Sequence, residues 1–117
     1  MRPIAHPSLS QISLPFVLYA LSDPVRLEIV RRLKDANGEL SCGDAVGDVL
    51  LPKSTVSFHF KALRESGLIR TRQKGRTKFN EINPGFEKRF PGLLKAILAQ
   101  AHDRYASGLL STLVHKL

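Results

Sequence analysis

Cysteine is nearly absent: Cys42 is the sole thiol among 117 residues. One thiol excludes an intramolecular disulfide and any metal site built from several thiolates of one chain, and it fits a reducing, cytoplasmic setting. No apolar run approaches the roughly 20 residues of a membrane span or forms the apolar core of a signal peptide. Pro3 and Pro7 interrupt the first residues, so neither anchoring in a membrane nor export is expected. Acidic residues are also scarce, 10 against 18 Lys and Arg, and the formal net charge is +8. Such an excess favours a polyanionic partner, with nucleic acid ahead of a membrane surface. There is no Gly-rich phosphate loop and no nucleophile elbow, and the carboxylates and histidines are scattered over different predicted elements. The expectation is a non-enzyme without a cofactor.

With 43% apolar and 24% charged residues, the chain can bury one compact core. Residues 1–10 read as a flexible arm, residues 11–90 as the main domain, and residues 91–117 as one long helix packed on it. Apolar residues over 12–21 are too dense for a helix with one wet face. Asp23 before Pro24 marks the next helix start, Val25, Ile29, Val30 and Leu33 form its stripe, and Asn37-Gly38 its stop. A short helix over 42–49 is broken by Leu51-Pro52, and another runs from Lys53 or Ser54 to Ser66, with Val56, Phe60 and Leu63 inward. Its opposite face carries Ser54, Thr55, Ser57, Phe58 and Lys61. Two short helices joined by a tight turn, the second with a polar and basic outer face, form a helix-turn-helix pattern. Residues 68–83 then alternate around Lys74-Gly75 as a hairpin whose register the pattern leaves open. The fold class is mainly α with a small β-hairpin, in the order α-α-α-α-β-β-α.

Dividing the charge by segment makes it informative. Residues 53–78 hold Lys53, Lys61, Arg64, Arg70, Arg72, Lys74, Arg76 and Lys78 against Glu65 alone, a net +7 of the chain's +8. Cations clustered on the second helix and the hairpin suit phosphates, each contact releasing condensed counterions. Ser54, Thr55, Ser57 and Lys61 are the candidates to read base edges, and Gln73 to Arg76 at the hairpin tip can reach the adjacent backbone or minor groove. A winged domain used as a protein-interaction or assembly module is the alternative, though such a wing seldom needs this charge.

The segments ALSDPVRLEIVRRL and KSTVSFHFKALRESGLIRTRQKGRTKF, with a DPxR helix start, an STVSxHxxxLxxxGLI helix and a basic wing, resemble the ArsR/SmtB family of winged-helix repressors over residues 16–82. The resemblance implies a homodimer on an inverted-repeat operator in double-stranded DNA, and a small-molecule effector of unidentified chemistry that alters DNA affinity. Helices at both termini would form the interface. Their surplus apolar residues nominate Phe16, Val17, Leu94, Leu98, Ala101, Tyr105 and Leu109 for it. Phe58 stands where such proteins more often carry a polar side chain, so it either touches a thymine methyl or packs on its own hairpin. His59 reads as a structural or phosphate-contacting residue. Metal sensors of the family carry a thiolate pair where this chain has Ser41 and Gly43, with Cys42 between them. His102, Asp103 and His115 do not match the family's second site either, so no metal site is expected.

Overall fold

A computed structural model describes residues 3–101. Helix α1 (Leu14–Leu21) starts later than the apolar density suggests, because Ser13 caps it by accepting the Phe16 N–H at 3.3 Å and Pro15 fixes the first turn. Helix α2 (Pro24–Ala36) begins as expected: the Asp23 carboxylate accepts the N–H groups of Val25 and Arg26 at 2.9 and 3.0 Å, and Asn37 ends it in the left-handed conformation, φ 50°. Val25, Ile29, Val30 and Leu33 enter the core with Val17, Ala20 and Leu21 of α1.

The helix-turn-helix follows as α3 (Cys42–Val46) and α4 (Lys53–Glu65), the first capped by the Ser41 hydroxyl, which accepts the Asp44 N–H at 3.1 Å. Gly67, at φ 85°, turns the chain out of α4 into the wing. A side chain there is doubly excluded, since a Cβ would also lie 2.4 Å from Ile12 Cγ1.

The hairpin belongs to a larger sheet than expected. Strands β2 (Ile69–Lys74) and β3 (Thr77–Ile82) pair antiparallel, and a two-residue strand, β1 (Leu40–Ser41), joins β3 on its far side, giving the order β1-β3-β2. The register left open by the pattern resolves on Ile69 opposite Ile82 and Thr71 opposite Asn80, which face inward, while Arg72 lies opposite Phe79 on the outer face. The turn itself is Gly75-Arg76, with Gly75 at φ 62° in the first central position, where a II′ turn requires positive φ.

A short helix, α5 (Phe86–Arg89), was not anticipated. It buries Phe86 against the core and sets Phe90 beside it, ring centroids 5.3 Å apart. Helix α6 (Leu93–Ala101) starts after Gly92, two residues past the expected Pro91, and residues 102–117 lie outside the described residues, with them the candidates Tyr105 and Leu109.

Two expectations need correction. The N-terminal arm touches the domain at points within its described part: Ile4, His6 and Pro7 are half-buried and the Thr71 N–H of the wing donates to His6, while Pro3, Ala5 and Ser8 to Ser10 are exposed. Val17, Leu94 and Leu98 are 0, 2 and 8% exposed, already consumed by the chain's own core, so they have no area left for a partner. Among the described candidates Phe16 stays exposed and Ala101 half-buried. Leu14, Leu18 and Tyr19 join Phe16 on the uncovered side of α1.

Candidate nucleic-acid interface

Helix α4 divides cleanly along its length. His59, Phe60, Ala62 and Leu63 are buried, Thr55 and Val56 are half-covered, and Lys53, Ser54, Ser57, Phe58 and Lys61 are exposed. The exposed set recurs at helical spacing and so forms one face. Pro52 caps the helix without a side-chain acceptor, which leaves the first-turn N–H groups and the positive end of the helix dipole beside Lys53. Thr55, nominated as a base reader, sits at the edge of this face.

The wing extends the cationic surface. Arg70, Lys74, Arg76 and Lys78 are exposed and Arg64 is half-buried. Arg72 differs from the rest: its Nε and Nη2 donate to the Glu39 carboxylate at 2.7 and 2.9 Å, and its guanidinium lies 4.9 Å from the Phe79 ring. These bonds push the Glu39 carboxyl below its ordinary pKa and the Arg72 guanidinium above its own. The Glu39 carboxylate meets the Arg72 charge at the surface, which leaves that guanidinium less available to a phosphate than that of Arg76. Arg72→Ala should therefore weaken duplex binding by no more than about twofold, whereas Arg76→Ala, whose side chain is exposed at the wing tip, should weaken it about fivefold. Fluorescence anisotropy on one duplex at one salt concentration compares them, and equal losses would show that Arg72 turns from Glu39 to the nucleic acid.

The arginines of α2 are likewise engaged elsewhere. Arg31 pairs with Glu28 and Asp35, and Arg32 lies 3.5 Å from Glu28 and 3.8 Å from Asp48. Among the described residues the exposed cations elsewhere with no ion pair or side-chain hydrogen bond are Lys34, Lys88 and Lys95, so most of the unpaired positive charge lies on α4 and the wing.

Residue spacing alone did not reveal what holds α4 against α2. Buried Arg26 donates from Nε to the Ala20 carbonyl at 2.8 Å, and its Nη1 lies 3.1 Å from His59 Nδ1, with Asp23 3.8 Å from the same nitrogen. Burial holds His59 below its ordinary pKa, the Arg26 charge adds to this, and Asp23 opposes both. A neutral His59 accepts at Nδ1 from Arg26, so it is a positioning residue turned away from solvent. The signal was present as the DPxR start and the histidine of α4, residues 33 apart in sequence.

Phe58 is 54% exposed and lines a groove of about 220 Å³ with Phe16, Tyr19, Lys61, Ala62 and Glu65. Its groove neighbours lie on α1 and α4, none on the hairpin, which disfavours the packing alternative. A large apolar ring left half in water on this face is available to a thymine methyl.

The assembled surface is that of a winged helix-turn-helix, and the comparisons agree. A helix-turn-helix domain family matches residues 21–72. The chain is 42% identical to the uncharacterised HTH-type transcriptional regulator YceK of Bacillus subtilis, over 69% of this chain and 82% of that protein. It is 35% identical to the arsenical resistance operon repressor of Staphylococcus xylosus, over 67% and 73%. The solved structure of HlyU from Vibrio cholerae superposes with TM-score 0.60 at 28% identity, covering 74% of this chain and 88% of that one. The homodimeric winged helix-turn-helix DNA-binding domain Mb0332 of Mycobacterium bovis, a possible ArsR-family regulator, gives 0.56 at 25%, covering 80% and 84%. The chain belongs to the ArsR/SmtB family. It is a DNA-binding transcriptional regulator of the winged helix-turn-helix type.

This ArsR-family chain lacks the donors for a thiolate metal centre. Ser41 spends its hydroxyl on the α3 cap, Gly43 has no side chain, and Cys42, half-buried, takes a hydrogen bond from Asn80 Nδ2 at 3.3 Å. Among the described residues no group of three or more His, Cys, Asp or Glu side chains converges as a metal would need. His102, Asp103 and His115 fall outside the described residues. No helix among those described is long and apolar enough to cross a membrane.

Proposed function

We propose that this regulator binds an inverted-repeat operator as a homodimer, laying α4 in the major groove and the wing on the flanking backbone, and that it represses transcription from the cytoplasm without any catalytic step. The observation that carries this reading is the exposed face of Lys53, Ser54, Ser57, Phe58 and Lys61 on α4 together with exposed Lys74, Arg76 and Lys78 on the wing, their cations without the pairing, among the described residues, that occupies Arg26, Arg31, Arg32 and Arg72. Ser54, Ser57 and Phe58 discriminate bases, and the Lys and Arg side chains position the protein on phosphates.

Dimerisation through α1 and α6 is supported by the exposed Leu14, Phe16, Leu18 and Tyr19 and the half-buried stripe Leu93, Ile97, Ala101. Apolar side chains left this open are costly in a free monomer. Repression is supported by the similarity to the Staphylococcus xylosus repressor. An effector would act by changing DNA affinity.

Selection of bound fragments from genomic DNA by the purified protein tests the reading. It should recover a short inverted repeat, bound by a species of twice the 13.0 kDa chain mass. Recovery of random fragments, or no retention at low salt, would favour a winged module that contacts protein.

A further inference from the structure

The N-terminal segment meets the wing through one polar bond whose chemistry depends on a proton. Strand β2 is the outer strand of the sheet, so the backbone groups on its free edge have no strand partner. At Thr71 a side chain from far away in sequence fills that place: the Thr71 N–H donates to His6 Nε2 at 2.9 Å, across 65 residues. An imidazole nitrogen accepts only while it carries no proton. Once protonated, the ring would present N–H to N–H.

The surroundings make that protonated form more unfavourable. Burial lowers the His6 pKa first, then the charges of Arg70 on β2 and Arg64 on α4, with only the Ile4 backbone acting the other way. Arg72, which lines the same cleft, is held by Glu39, and the nearest carboxylate in the strand ladder, Glu81, stands opposite Arg70.

The two sides of the bond are not equally fixed. Thr71 is buried, and its hydroxyl donates to the Asn80 side chain at 2.7 Å, which in turn bonds Cys42 and the Leu40 carbonyl. The strand side is thus tied across the whole sheet. On the other side, Ile12 is anchored in the core and Leu9 lies against Gly85, whereas of residues 3–8 only Ile4, His6 and Pro7 are even half-buried. Loss of the bond would free the segment and leave the strand in place.

We propose that His6 and Thr71 form an acid-released latch: uptake of one solvent proton by His6 detaches residues 3–8 from the free edge of β2 and uncovers the base of the wing beside Arg64 and Arg70.

The latch is tested by following the Thr71 amide and the His6 ring of the full chain by NMR between pH 7.5 and 5.5. The Thr71 amide should shift and lose about tenfold in exchange protection factor with the same midpoint as the His6 ring. His6→Gln, which keeps a side-chain acceptor but cannot titrate in this range, should hold Thr71 protected throughout. His6→Ala should leave it unprotected at every pH. A Thr71 amide that ignores the His6 titration would overturn the proposal. So would an acid loss of protection that persists in His6→Gln, because it would trace to another group such as His59.

Discussion

Lys61→Glu combined with Arg76→Glu should lower duplex affinity by about 10²–10³-fold near 0.1 M salt, with little change in thermal stability. Both side chains are exposed and neither takes part in an ion pair or side-chain hydrogen bond among the described residues, so the folded chain loses no polar contact there. Each cation removed from a phosphate forfeits the release of about one counterion, and each carboxylate introduced adds repulsion. The slope of log affinity against log salt should also become shallower by about 2. Lys61, a candidate base reader by residue type, is here taken with Arg76 as a phosphate contact, and because phosphates carry no sequence information the loss should be equal on the operator and on a shuffled duplex. Ser57→Ala should differ in kind, altering the ranking of sites. A double reversal that left the salt slope intact would remove both residues from the interface.

Arg26→Met should destabilise the fold by about 2–4 kcal/mol in urea titration. Arg26 is 5% exposed, and three groups depend on it: the Ala20 carbonyl near the end of α1, His59 Nδ1, and the Tyr19 ring 5.3 Å from the guanidinium. Methionine fills much of the same volume, so the cost is chiefly that of a carbonyl and an imidazole nitrogen left without a donor. The substitution also predicts a change in pH dependence. In the native chain His59 resists protonation, so below about pH 6.5 the unfolded state binds more protons than the folded one, and stability should fall as pH is lowered. Without Arg26, His59 faces Asp23 alone, its pKa rises towards the unfolded value, and the acid loss should shrink. A steeper acid loss in Arg26→Met would show that Arg26 does not set the protonation of His59.

The helix-turn-helix was legible because its signals are local. Asp23, Pro24 and Asn37 delimit α2 through their own backbone preferences, and the 3.6-residue period of Val56, Phe60 and Leu63 fixes which side of α4 points out. Which side chains of α4 are exposed was therefore readable almost residue by residue. What escaped depends on pairings between distant segments. The two-residue strand β1 has no period of its own and exists only because Leu40 and Ser41 meet Asn80 and Phe79. Arg72 looked like one more free cation until Glu39, 33 residues earlier, was brought beside it by the same sheet. His6 lay in a stretch broken by prolines, and its partner is a backbone N–H, which leaves no trace in side-chain pattern. Apolar density on the terminal helices marked some side chains that are buried and some that are exposed. It could not say whether the cover comes from the chain itself, as for Val17, Leu94 and Leu98, or is still wanting, as for Leu14 and Leu18.

The central claim, that α4 and the wing together form the DNA-binding surface, is tested most directly by mapping amide chemical shifts as a short duplex is added at low salt. The largest changes should fall on Lys53 to Lys61 and on Gln73 to Lys78, with the outer side of α2 and α5 unmoved. Changes concentrated on α2 and α5, or none at any duplex concentration, would contradict it.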